Sequence, residues 1–388
     1  MAHPYGLADS SLKIIERVVS LAVEVVRPHA ADVDRNGRFP RESIDALGRG
    51  RLLGLCVAAD KGGLGEGPRT FATVAEELAQ ECASTAMVFV MHVTAQQAIT
   101  ASGTLAGQDA LLREIAEGRH LTTLAFSEKG SRSQFWAPLS RLTPAGRDHV
   151  TSAQKSWVTS AHNADSYVAS GQRPGAESPL DSTLYLVRRG ARGVRIGGEF
   201  DGLGLRGNDS APMVFEDLPV GGGDLLTAHG GGAKEMLEVV LPWFSIGTAA
   251  MANGLCRAAV AATAGHLSTT QFEHTGTWLR DLPNVRGRLA EMAVRTEQAR
   301  ALLGRALDEL ESASEATPLF VLMGRLASLD AALAVTDLAM KACGGAAFSR
   351  QLPVERLFRD ARAGWVMAPT ADHLTDFIGR ALTGLPLF

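Results

Sequence analysis

The run Lys155-Ser156-Trp157-Val158-Thr159-Ser160-Ala161-His162-Asn163-Ala164-Asp165 decides how the chain is divided. Ser156–Ser160 reads as a short strand, and His162–Ala164 breaks it with a turn cluster. A second β-run, Asp165–Ser170, follows at once. Further runs stand at Ser182–Val187 and Pro212–Phe215. Pro144–Gly146 and Gly171–Pro179 interrupt them. Several short strands at this spacing predict a small barrel or sandwich over residues 121–228.

On either side the texture is helical. In residues 1–120, Asp9, Ser10 and Ser11 offer capping oxygens before Ile14, Ile15, Val18, Val19, Ala22, Val25 and Val26, which recur at helical spacing. Pro28 removes a donor and restricts the residue before it, so this helix is expected to end by Arg27. Further helices are expected over Arg41–Arg51, Arg69–Cys82, Ala83–Ser102 and Gln108–Gly118. In residues 229–388 they are expected over Glu235–Ser268, Asn284–Ser312, Pro318–Cys343 and Thr370–Leu382. The order is all-α, then β, then an α-bundle.

At 388 residues, 46% apolar and 21% charged, the composition is that of an ordinary soluble globular chain and excludes disorder or a disulfide-stapled miniprotein. With 38 Lys and Arg against 42 Asp and Glu, the net charge of −4 argues against nucleic acid or an anionic membrane as the main partner. Cys56, Cys82, Cys256 and Cys343 have no metal-type spacing and read as buried reduced thiols. No HxxxH or HExxH occurs, so no metal site is expected. The N-terminal stretch lacks the pattern of a signal peptide, and the expectation is a cytoplasmic protein. Val239–Cys256 is 18 residues without a charge, but Pro242, Ser245, Asn253 and three further small or polar residues lower its hydrophobicity. It reads as a helix buried inside a bundle rather than a membrane span.

Several local strings narrow the reading: AFSEKGSRSQF (Ala125–Phe135), KSWVTSAHNAD (Lys155–Asp165), GLRGNDSAPMVFEDLPV (Gly204–Val220), ACGGAAF (Ala342–Phe348), ERLFRDAR (Glu355–Arg362) and APTADHLTDFIGRAL (Ala368–Leu382). Together, and in this order, they resemble the acyl-CoA dehydrogenase superfamily of flavoproteins over nearly the whole chain. The resemblance implies an α+β multidomain fold: an N-terminal all-α domain, a middle β-barrel domain and a C-terminal four-helix bundle. FAD would lie between barrel and bundle, partly at a subunit interface of a homodimer or homotetramer. Phe126 and Ser127 fall where the family sets a backbone amide and a hydroxyl beside the flavin pyrimidine, donors that stabilise charge on the reduced ring. Ser133 falls where a hydroxyl meets the pyrophosphate. Trp157 would pack against the flavin, and Thr159, on the same strand face, would reach its N5 side. Gly344 and Gly345 match a pair that approaches the adenosine half of a neighbouring subunit's FAD. Thr370 matches a pyrophosphate contact near a helix start. Arg359 and Asp360 read as a structural ion pair.

The chain departs from the family pattern where the chemistry is done. Most members carry a Glu-Gly-Thr string whose carboxylate removes the α-proton; Ala368-Pro369-Thr370 stands here. Other members place the base on the helix lining the acyl pocket, but Leu241–Ser245 holds no acid, and Glu238 lies just upstream. Thr269 stands near a family Arg, and Lys341 replaces a Gln before the Gly-Gly pair, where it could supply charge to a phosphate. His92, in the apolar helix, is a candidate base, or else a hydrogen-bonded core histidine. Three readings follow. The first is oxidation of an acyl thioester (Cα–Cβ desaturation) with hydride transfer to flavin N5, a base from another position, and an electron-transfer partner. The second is a monooxygenase, hydroxylating or N-oxygenating a small molecule with reduced flavin from a flavin reductase. The third is a non-catalytic partner subunit.

Overall fold

The computed structural model describes residues 4–387. Helix α1 (Asp9–Leu21) does not stop before Pro28. One wide turn, Ala22–Val26, intervenes, in which the Arg27 N–H donates to the Ala22 carbonyl, and α2 (Arg27–Asn36) carries on. Widening the turn accommodates a residue that has no N–H and whose ring crowds the carbonyl four positions back. The expected stop at Arg27 is therefore corrected. After α3 (Arg41–Arg49), helices α4 (Pro68–Glu81), α5 (Ala83–Ala101) and α6 (Gln108–Ala116) complete the first helical segment.

The middle segment builds β1 (Thr122–Ala125), β2 (Thr143–Ala145), β3 (Asp148–Val158), β4 (Ser166–Gln172), β5 (Ser182–Arg188), β6 (Val194–Ile196) and β7 (Ala211–Val220). They form two sheets, ordered β1-β4-β5 and β2-β3-β7-β6; β1 runs parallel to β4 and the other pairs are antiparallel. Single bridges, Glu128 to Lys155 and Arg141 to Gln172, join the sheets. Tyr167 and Tyr185 from one sheet and Met213 and Phe215 from the other fill the common core. The barrel is thus small and filled with side chains.

The last segment comprises α7 (Gly232–Glu235), α8 (Leu241–Thr269), α9 (Pro283–Glu311), α10 (Thr317–Cys343), α11 (Gly345–Phe348), α12 (Val354–Val366) and α13 (Ala371–Thr383). A second wide turn, Met236–Val240, precedes Pro242 as the first precedes Pro28. Helix α8 packs on α4, α5, α9, α10 and α12, which accounts for the charge-free run Val239–Cys256: no face of it meets water for long. Gly247 and Gly254 permit the approach; a Cβ at Gly254 would stand 2.4 Å from the Glu76 carbonyl oxygen. Gly232–Thr269 and Thr317–Cys343 are long and apolar enough to cross a membrane, yet 72% and 56% of their most apolar windows are buried within the protein. Buried Glu76 accepts from Arg257 at 2.7 Å and pairs with Arg300 at 3.0 Å, tying α4 to α8 and α9. One continuous apolar core therefore joins both helical segments, and the barrel docks on its side.

Arg359 and Asp360 do not pair with each other. Adjacent residues on a helix point about 100° apart. Arg359 grips Asp34 with two nitrogens, at 2.6 and 2.9 Å, and Glu355 at 2.8 Å, while Asp360 accepts the Leu205 N–H at 2.7 Å. Both bind α12 to its surroundings, the first to α2 and the second to the β6–β7 loop.

Candidate functional site

Between the barrel and α5, α8 and α12 lies a cavity of about 970 Å³. Its barrel wall is built by closure of the two sheets. The strand that begins as β1 leaves its sheet at Phe126, and the loop beyond it pairs with β3: the Ser156 N–H donates to the Ser127 carbonyl and the Lys129 N–H to that of Gln154, each at 2.9 Å. Ser127 and Trp157 are thereby held in fixed register. Beneath them Lys155, fully buried, donates to Glu128 at 2.6 Å and to the Ser170 carbonyl at 2.7 Å. Glu128 also accepts the Leu139 and Ser140 N–H groups at 2.7 and 2.8 Å, which pins the loop over residues 128–140. Burial alone would push the Glu128 carboxyl up, but the Lys155 charge together with the hydrogen bonds from Lys155 and Ser140 outweighs it and holds the group below the usual range.

Trp157 sits on a bulge, with a register shift between Lys155 and Val158 and a φ of 58°. Its indole is 70% exposed at the cavity mouth, edge-on to Phe200 at 6.3 Å between centroids. β3 ends at Val158, so Thr159 and Trp157 do not share a regular strand face; the bulge and the following turn turn both toward the cavity. Thr159 Oγ1 lies 3.3 Å from Ser210 Oγ.

Ser133 follows Arg132 on a loop where both residues, and Gly130, have positive φ, of 68°, 50° and 101°. Left-handed turns of this kind turn backbone N–H groups toward a common side and suit anions. The lining residues include Lys129, Arg132, Lys155, Arg359 and Arg362 against the single acid Glu128. A strained, uncovered indole beside a cationic, N–H-rich loop fits a flat aromatic ring joined to a diphosphate, as FAD is.

Of the residues singled out in the sequence, Phe126, Ser127, Ser133, Trp157 and Thr159 line this cavity. Gly344, with φ 57° and ψ −133°, and Gly345 lie elsewhere, at the α10–α11 junction; a Cβ on either would meet nothing, so the space beside them is open. Thr370 caps α13, accepting the His373 N–H at 3.3 Å, two residues beyond the cavity-lining Ala368. Lys341 pairs with Asp337 at 2.6 Å.

His92 is not in the reaction space. It is fully buried between α5 and the barrel; its Nε2 donates to the Leu53 carbonyl at 3.0 Å and its Nδ1 accepts the Thr122 N–H at 3.1 Å. Both ring nitrogens are spent on backbone, and burial pushes its pKa down to about 4. The candidate-base reading gives way to the core-histidine one. Glu238 points to solvent, 3.8 Å from Lys234, while its neighbours Val240 and Phe244 line the cavity. Sequence reasoning missed the Glu128–Lys155 pair, although both residues stood in quoted strings. It also missed Arg325, the largest fully buried side chain, whose only signal was a lone cation in an apolar helix.

Comparison with known proteins is consistent over the whole length. Residues 9–119 match the family model for the acyl-CoA dehydrogenase N-terminal domain, and residues 230–383 that for the acyl-CoA dehydrogenase C-terminal domain, together more than half of the chain. The chain is 28% identical over 377 residues to a cyclohex-1-ene-1-carbonyl-CoA dehydrogenase of Syntrophus aciditrophicus (strain SB), covering 97% of this chain and 90% of the relative. It is 28% identical over 349 residues to the mitochondrial short-chain specific acyl-CoA dehydrogenase of Bos taurus, covering 89% and 83%. Its fold matches that of butyryl-CoA dehydrogenase from Megasphaera elsdenii with a TM-score of 0.92 at 23% identity, over 97% of this chain and 99% of that one.

Proposed function

This chain belongs to the acyl-CoA dehydrogenase superfamily and is an FAD-dependent oxidoreductase of that type, and from that premise we propose that it oxidises an acyl thioester without a carboxylate base in its cavity wall. One observation carries the reading. Glu128 is the only acid lining the cavity among the described residues, and it is committed to Lys155, Ser140 and the Leu139 amide. Where the family carries its base the chain has Ala368, and the acyl-pocket helix presents Val240 and Phe244.

FAD, when bound, supplies the two-electron acceptor. Trp157 would pack against its ring, the Phe126 amide and the Ser127 and Thr159 hydroxyls would orient the ring edge, and the Arg132–Ser133 loop would hold the diphosphate. Met87, Met91 and Leu124 add apolar wall to the same cavity and would help exclude water from the ring. Gly344 and Gly345 would approach the adenosine half of a neighbouring subunit's FAD and Thr370 would contact the pyrophosphate, so the working form is a homodimer or homotetramer. A soluble electron-transfer partner in the cytoplasm reoxidises the enzyme. A positioned base contributes ~10²–10⁴-fold, so without one the α-hydrogen of the preferred thioester must be unusually acidic.

The same lack of a free carboxylate supports a second reading, a reduced-flavin monooxygenase on this scaffold. Anaerobic mixing of the FAD-loaded protein with a panel of acyl-CoAs separates the two. Bleaching of the flavin band supports thioester oxidation. No bleaching, with oxygenated product after chemical reduction and admission of air, supports the monooxygenase.

A further inference from the structure

Arg325, on α10, has no solvent exposure, and among the described residues no carboxylate lies within ion-pair distance of it. Its Nη2 donates to the Met367 carbonyl at 3.2 Å, and its guanidinium carbon stands 4.8 Å from the centroid of the Phe244 ring. Nε and Nη1 have no partner. Phe244, Met367 and Ala368 all line the cavity, so the guanidinium lies one layer of atoms behind the wall from which the family's carboxylate is missing. A second orphan stands beside it, the hydroxyl of Ser328, one turn along α10 on the same face. Buried charged donors are costly unless something answers them, and a guanidinium with two unanswered nitrogens behind this wall marks a place for an acceptor. Burial pushes the Arg325 pKa down to about 9, still charged at neutral pH.

We propose that Arg325 anchors a carboxylate on the acyl group of the substrate, so that the preferred thioesters are those of dicarboxylic acids. The assignment rests on the acyl-thioester reading above. Nε and Nη1 lie on different edges of the guanidinium, and each shares its edge with Nη2, which spends one of its two N–H bonds on the Met367 carbonyl, so a carboxylate reaching either edge meets a free N–H, with the Ser328 hydroxyl one turn along the same helix. Phe244 must swing aside for the carboxylate to pass, and its ring then covers the pair.

The test is a titration of the FAD-loaded protein, read by the shift of the flavin band. One series is malonyl-, succinyl- and glutaryl-CoA; the other is propionyl-, butyryl- and valeryl-CoA. The wild type is expected to bind at least one carboxylated thioester about tenfold or more tightly than its neutral counterpart. Arg325→Met should erase that preference while leaving neutral binding in place, and Arg325→Lys should keep part of it. Equal binding of both series by the wild type overturns the carboxylate anchor alone and means that water answers the free nitrogens. No flavin shift with either series overturns the anchor and the thioester reading together. If the Met variant does not fold, the wild-type comparison still decides.

Discussion

Replacing Glu128 with alanine removes the only ionic partner of Lys155 among the described residues and the acceptor for three hydrogen bonds, from the Leu139 and Ser140 amides and the Ser140 hydroxyl at 2.5 Å. Both side chains are at most 3% exposed, so solvent does not screen the loss. An ammonium left inside the barrel with only the Ser170 carbonyl is expected to cost about 3–5 kcal/mol, a large part of the ~5–15 kcal/mol that holds a typical protein folded. Lys155→Met should cost less, about 1–3 kcal/mol, because the carboxylate keeps its three other donors. The double variant Glu128→Met/Lys155→Met, which leaves no buried charge, should be more stable than Glu128→Ala alone. Denaturant unfolding of the variants measures this, and FAD affinity should fall in Glu128→Ala as the loop over 128–140 loosens. The pH dependence carries the same sign. The Glu128 pKa is held below its unfolded value, so the pair's contribution is complete above the ordinary carboxylate range and is lost as pH falls through the folded pKa. A cost under about 1 kcal/mol for Glu128→Ala, or a double variant as unstable as the sum of the singles, would refute the reasoning.

His92→Gln should leave the rate of flavin reduction unchanged while lowering stability at pH 7 by about 1–3 kcal/mol, through loss of the Leu53 and Thr122 contacts. In the wild type the folded pKa of about 4 lies below the unfolded value, so stability falls as pH drops from ~6.5 toward 4, by up to about 3 kcal/mol. The variant should lack that component; a collapse of turnover in a folded variant would return His92 to the chemistry. Asp360 is displaced the other way, its pKa pushed up to about 6 by burial, so it weakens the fold progressively as pH rises from ~4 to 6. Asp360→Asn, which still accepts the Leu205 N–H, should raise stability at pH 7 by about 1–3 kcal/mol and flatten that slope; a less stable variant at pH 7 contradicts this. Ala368→Glu places a carboxylate in the cavity wall and should speed anaerobic bleaching by butyryl-CoA by ~10²-fold or more; no gain in a folded, FAD-binding variant means that proton removal is not what the wild type lacks.

How far the fold could be read from the sequence depended on whether the deciding contact was local. The long helices and most strand positions follow from periodicity and turn residues, which act within a few positions. Pro28 misled because a wide turn, invisible to a 3.6-residue pattern, absorbs it. α12 was seen only as the string Glu355–Arg362, since its charges hide the apolar stripe of Val354, Leu357 and Ala361. β3 begins at Asp148, well before the strand read at Ser156–Ser160, and ends at Val158, because its polar alternation with a lysine inside does not look like a core strand. In the site, the strings around Ser127, Ser133 and Trp157 were visible because each is a compact local unit. The Glu128–Lys155 pair spans 27 residues and exists only once the sheets close, and the burial of Arg325 depends on α8 and the chain after α12. His92 looked chemical because its partners, Leu53 and Thr122, are 39 and 30 residues away.

The account stands or falls on the seat beside Trp157. Equilibrium titration of the apoprotein with FAD, followed by quenching of flavin fluorescence and repeated with Trp157→Ala, tests it most directly. One FAD per chain, with strong quenching that weakens together with affinity by about two- to tenfold in the variant, is the predicted result. An apoprotein that leaves flavin fluorescence untouched at saturating FAD, or a variant indistinguishable from the wild type, would contradict it.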